Sequence, residues 1–107
     1  DPAYNQAFVI PDAHFKMPVW VGTGLADGEA GISQQYNAVA AMCDAGTHVT
    51  WVQYHGLTHN GAVNPSANDS VPFATNLLKG KVPQSTCHTL QPVGHEEDAT
   101  PGIKWNN

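Results

Sequence analysis

A chain of 107 residues, 41% hydrophobic and 12% charged, is long enough for one compact domain and has the composition of a globular protein rather than a fibrous or disordered one. Four Lys and Arg against nine Asp and Glu give a net charge of -5, which argues against nucleic acid or an anionic membrane surface as a partner. Apolar runs break within a few residues and no basic, apolar leader opens the chain, so neither a spanning helix nor a retained signal peptide is expected; a leader already removed is compatible with this.

Residues 1–16 carry Pro2 and Pro11 and read as loop, with one short element expected around residues 7–10. The stretch 17–23, "MPVWVGT", is apolar and β-branched, starts at a proline and runs out into glycines, as a buried strand does. From Ile32 the apolar period changes: Ile32, Tyr36, Val39, Ala40 and Cys43 share one helical face, Ser33 is a candidate N-cap, and Gly46 stands where a left-handed C-terminal residue is wanted. Residues 48–54, "HVTWVQY", read as a second strand. Strand, helix and strand with short joints predict a βαβ unit with a parallel pair and a right-handed crossover. After a polar loop holding Asn64 and Pro65, Asp69 or Ser70 is expected to cap a last helix of about ten residues, with Pro72 in its first turn and Phe73, Leu77 and Leu78 facing inward. Residues 88–107 show no usable period and are expected to wrap over a surface. The expected fold class is therefore α/β, a βαβα arrangement over residues 17–87 with an irregular tail, together one partial domain over 1–107. Two parallel strands need more sheet around them, so the sheet is expected to be incomplete, its other strands supplied from elsewhere.

Cys43 and Cys87 are far apart and lack any C-x-x-C companion, which favours a disulfide over a zinc site or a redox pair. Asn68 opens the acceptor sequon Asn68-Asp69-Ser70. With few lysines and an even cysteine count, these signals favour an extracellular protein.

In open α/β sheets functional groups gather beyond the carboxyl ends of the strands. Here the first strand is followed by Leu25-Ala26-Asp27 and the second by "HGLTHNG", which contains His59. An acid and a histidine thus leave the same end of two neighbouring strands, the arrangement required of a catalytic acid and base. Glu29 is a rival acid on the same loop. His55 and His59 have the i, i+4 spacing of a helical metal pair, but Gly56 and the preceding strand argue against a helix there, and no metal or cofactor is expected. His14, His48, His88 and His95 read as structural or solvated, and Trp20 and Trp51 as filling between sheet and helices.

Five segments carry a resemblance: "PVWVGTGLAD" (18–27), "AAMCDAG" (40–46), "VTWVQY" (49–54), "GLTHNG" (56–61) and "LLKGKVPQSTC" (77–87). Over roughly residues 17–87 the chain resembles the C-terminal part of an α/β-hydrolase of the secretory lipase and secreted esterase kind. In that family the order is serine, acid, histidine, and the resemblance makes Asp27 the acid and His59 the base. It also implies a disulfide from Cys43, in the helix before the last strand, to Cys87, after the final helix. No G-x-S-x-G occurs; the nearest approach, residues 31–35, lacks the second glycine and opens a helix. The resemblance therefore implies a fragment or processed chain of a secreted carboxylic-ester hydrolase, inactive alone. Its partner would be the N-terminal part bearing the serine, and its substrate an ester or lipid. The alternative is a non-enzymatic, hydrolase-like binding or structural module.

Overall fold

The computed structural model describes residues 17–107, so the element expected around residues 7–10 and His14 lie outside the described residues. In chain order come strand β1 (Val19–Gly24), helix α1 (Ile32–Asp44), strand β2 (Val49–Tyr54), helix α2 (Val63–Leu78) and a 3-10 turn (Cys87–Thr89). The α/β class and the βαβα order are as expected. The strands are parallel, with Val19 opposite Val49 and Gly24 opposite Tyr54. They start two residues and one residue later than the apolar runs suggested, because Met17 is exposed and His48 contributes only its carbonyl, which accepts from the Val19 N–H (2.9 Å).

The helices cover opposite faces of this ribbon. Val39 and Met42 of α1 close with Val49 and Trp51 into a core to which Val19, Val21 and Tyr36 add partial cover, and the Tyr36 and Trp51 rings sit 6.0 Å apart. Val39 and Val49 have no exposed surface, and complete burial of each contributes about 1.5–3 kcal/mol before packing is counted. On the other face α2 comes so close to β1 that a Cβ at Gly22 would lie 3.3 Å from Cβ of Ser66 and 2.5 Å from the Trp20 ring. Trp20 and Trp51 thus fill opposite sides of the sheet, Trp51 buried and Trp20 half-buried.

α1 ends as its sequence suggested. Gly46 takes φ 91°, its N–H donates to the Cys43 carbonyl (3.0 Å), and the Thr47 N–H reaches back to that of Met42 (2.9 Å), a Schellman closure. Its start differs: Gly31, at φ 67°, holds the N-cap position without a side-chain bond, and Ser33 lies exposed one residue inside the helix. The turn before α1 is held instead by the Asp27 carboxylate, which accepts from the Glu29 and Ala30 N–H groups.

α2 differs more. It has 16 residues and begins at Val63, not near Asp69. The chain winds into it directly from a turn in which the Thr58 hydroxyl accepts from the Gly61 N–H (3.0 Å) and the Ala62 N–H donates to the Thr58 carbonyl (3.0 Å). Pro65 then falls in the first helical turn, where its missing N–H costs nothing. No residue of α2 is buried, and Leu78 is 91% exposed rather than inward-facing. Val63, Ala67, Val71, Ala74 and Leu78 recur at helical spacing and all are exposed, an apolar stripe that nothing among the described residues covers.

The sheet is correspondingly one-sided. The outer edge of β2 is covered by the chain after α2: the Thr86 N–H donates to the Val49 carbonyl (2.8 Å) and its hydroxyl accepts from the Trp51 N–H (2.9 Å). The outer edge of β1 pairs with nothing among the described residues, so the sheet is incomplete. Cys43 and Cys87 form a disulfide with Cα atoms 5.5 Å apart, fastening the end of α1 to the 3-10 turn. The tail then returns to the ends of both strands.

Candidate active site

β1 and β2 deliver their following loops side by side. The ladder continues past the strands as the Leu25 N–H donates to the Tyr54 carbonyl and the Ala26 N–H to that of Leu57, both at 2.9 Å. Gly24 makes this approach possible, since a Cβ there would stand 2.3 Å from the Leu57 carbonyl oxygen. The Asp27 N–H then turns back to the Gly24 carbonyl (3.0 Å), and the carboxylate is driven inward until Asp27 is 3% exposed.

A buried carboxylate must be satisfied, and this one is. Oδ1 accepts from the backbone N–H groups of Glu29 (2.9 Å) and Ala30 (3.0 Å), an Asx turn; Oδ2 accepts from Gln35 Nε2 (3.3 Å) and from His59 Nδ1 (2.9 Å). An ionised carboxylate only accepts, so Nδ1 carries the proton and a neutral ring has its lone pair on Nε2. Burial pushes the Asp27 carboxyl up, but the Ala30 N–H, the His59 ring and the Glu29 N–H outweigh it and hold the group below its ordinary value. The Asp27 carboxylate, first through its hydrogen bond and then through its charge, raises His59; partial burial opposes this, and the Glu29 charge adds to it. Between the two rival acids, Asp27 touches the imidazole, whereas Glu29 contributes its backbone N–H to Asp27.

Behind the pair runs a directed chain of hydrogen bonds. The Trp51 indole N–H donates to Thr23 Oγ1 (2.9 Å), the Thr23 hydroxyl to Gln35 Oε1 (2.7 Å), and the Gln35 amide to Asp27. Thr23 and Gln35 were not singled out from the sequence. A signal existed: Gln35 is a polar residue on the same helical stripe as Ile32, Val39 and Met42, and a buried indole N–H needs an acceptor.

His59, its side chain 55% exposed, stands at the rim of a cavity of about 190 Å³ lined by Gly22, Gly24, Gln35, Ala62, Val63 and Ser66, with Asp27 behind it. Ser66 is the hydroxyl of that lining, and it donates within the helix to the Val63 carbonyl (3.0 Å). A shallower depression of about 480 Å³ lies across the acid turn, with Glu29, Ser33, His95 and Glu96 on its walls; its side chains form no acid–base pair among the described residues. A carboxylate fixing Nδ1–H leaves Nε2 able to take a proton from a hydroxyl beside it and return it to a leaving group.

A second histidine–carboxylate pair flanks the first. His55 Nδ1 meets Glu97 Oε2 at 2.8 Å, and Glu97 Oε1 accepts from the Gly56 N–H at 2.8 Å; the His55 bond, then the Gly56 bond, lower the Glu97 carboxyl against a weaker burial effect. His55 and His59 thus serve separate carboxylates, and no metal cluster occurs among the described residues. His48 Nε2 bonds the Pro83 carbonyl, while His88 and His95 are exposed. Asn68 is exposed on α2, and its neighbour Asp69 accepts from the Tyr54 hydroxyl (2.5 Å); burial and then this carboxylate push the phenol upward. No family model matches the chain, and comparison with curated proteins and with solved structures finds no match either.

Proposed function

We propose that the chain supplies the acid and base of a serine-hydrolase triad that cleaves carboxylic esters, Asp27 and His59, with the serine brought by a companion segment or polypeptide, as in the secreted lipases and esterases it resembles. The observation that carries this reading is the 2.9 Å contact between a satisfied, buried carboxylate and the Nδ1 of a half-exposed imidazole. In that role His59 Nε2 takes the serine proton as the hydroxyl attacks the ester carbonyl, then passes it to the departing alkoxide; the cycle repeats with water on the acyl-enzyme. Asp27 keeps its charge and stabilises the imidazolium.

The open edge of β1 and the bare apolar stripe of α2 support a companion that completes the sheet and covers the helix. The disulfide suits an oxidising, extracellular setting. The test is to recover the companion from source material and reconstitute it with this chain. A fluorophosphonate should label a G-x-S-x-G serine on the companion, p-nitrophenyl esters should be hydrolysed, and His59→Ala should abolish turnover. Full ester hydrolysis with His59→Ala in place would sink the assignment.

A further inference from the structure

The tail does more than cover the loops: its last ordered contacts converge on the backbone around His59. Asn106 uses its whole side-chain amide there. Oδ1 accepts from the Thr58 N–H (2.8 Å), and Nδ2 donates to the carbonyls of Gly56 (2.9 Å) and Thr100 (2.9 Å). It also presses against the far side of the same loop, since a Cβ at Gly61 would lie 2.1 Å from Oδ1. His59 is therefore bracketed, with its preceding N–H tied and the residue two places on in contact.

Two further features tie the tail to the same loops. Trp105, immediately before Asn106, holds φ at 66°, a left-handed conformation that is unfavourable for a non-glycine residue and persists only when its surroundings over-determine it. Upstream, Glu97 spans both functional loops: its N–H donates to the Leu25 carbonyl (2.8 Å) on the acid side, while its carboxylate holds His55 and Gly56 on the histidine side. The Thr100 N–H adds a bond to the Gly56 carbonyl (2.8 Å). A group with one acceptor and two donors in a plane is what Thr58, Gly56 and Thr100 present a need for, and among the twenty side chains only Asn or the longer Gln has it.

We propose that Asn106 is a positioning residue that holds the Thr58–Gly61 segment so that His59 Nδ1 stays on Asp27. This positioning role rests on Asp27 and His59 acting as acid and base, but the clamp itself is testable without it. His59 is faced by the Asp27 carboxylate, with Glu29 as a further charge; His55 and Glu97 pair with each other. In the full 107-residue chain, NMR titration should show His59 above an ordinary histidine, and Asn106→Ala should remove that elevation while far-ultraviolet circular dichroism and the Trp51 indole N–H resonance stay unchanged. Asn106→Gln, which keeps both kinds of bonding group, should restore part of it. A His59 titration identical in the wild-type and Asn106→Ala chains would overturn the proposal. Should Asn106→Ala fail to fold, amide exchange in the wild-type chain decides: Thr58 protected from exchange supports the clamp, and Thr58 exchanging as freely as an exposed loop amide overturns it. A chain that shows the Asn106-dependent shift, yet hydrolyses no ester with any companion, keeps the clamp and removes the hydrolase reading.

Discussion

Replacing Thr23 by Val keeps the side-chain shape and removes one hydroxyl from the interior. Thr23 is 1% exposed, and that hydroxyl both accepts from the Trp51 indole N–H at 2.9 Å and donates to Gln35 Oε1 at 2.7 Å. The indole N–H, orphaned in a buried site, costs about 1–3 kcal/mol, and the half-buried Gln35 carbonyl adds about 0.5–1. A buried methyl in place of the hydroxyl offsets about 1 kcal/mol, leaving a net loss of about 0.5–3 kcal/mol. The cleaner quantity is the coupling. In a chain that already carries Trp51→Phe there is no indole N–H to orphan, so most of the penalty of Thr23→Val should vanish. Urea unfolding of the wild type, both single variants and the double variant closes a cycle whose coupling energy should be about 1–3 kcal/mol. A coupling under about 0.5 kcal/mol would show that the indole finds another acceptor, and the chain of bonds from Trp51 to Asp27 would lose its first member.

Asp27→Asn keeps the volume but must present its oxygen to the Glu29 and Ala30 N–H groups, which turns the NH₂ toward His59; the imidazole should switch to the Nε2–H tautomer, visible in ¹⁵N spectra, and reconstituted turnover should fall by on the order of 10⁴. An unchanged tautomer would contradict the geometry. Breaking the disulfide, by reductant or by replacing both cysteines with Ala, releases a separation of 44 residues and should lower unfolding free energy by about 4 kcal/mol, read as a drop in the urea midpoint. Stability should also depend on pH in two senses. Asp27 and Glu97 are lowered in the folded chain, so their contribution is complete above the unfolded carboxyl values of about 4 and is lost as pH falls through the folded ones; His59 is raised, so its contribution is complete below about 6.5 and is lost as pH rises through the folded value. The urea midpoint should therefore peak between about pH 4 and 6.5, and Asp27→Asn should flatten the alkaline decline. A peak above pH 8 would contradict the assigned directions.

Local pattern alone was enough for the parallel strands and for α1 with its glycine ending, because each rests on near-neighbour chemistry: β-branched runs, a 3.6-residue period, a left-handed glycine. The disulfide was legible for a different reason, since two cysteines allow only one pairing. Short-range pattern also placed an acid and a histidine after adjacent strands, since parallel strands must release their loops at one end. The start of α2 was misplaced because a proline reads as a break, whereas its meaning depends on whether the turn before it has already been closed; here Thr58 closes it, and Pro65 falls harmlessly inside the first turn. Leu78 looked inward because helical period reports an apolar face and not what lies opposite it.

What needed three dimensions was the choice of partner in most hydrogen bonds across long separations. Asp27 rather than Glu29 meets His59 because the Asx turn uses up the backbone of Glu29 while aiming the Asp27 carboxylate inward. Thr23, Gln35 and Trp51 become one chain only when a strand, a helix and a second strand share a face, and Asn106 reaches Thr58 from 48 residues away. Hydrogen bonds of that span leave no periodic trace in sequence, since their specificity lies in direction and distance between groups that folding alone brings together.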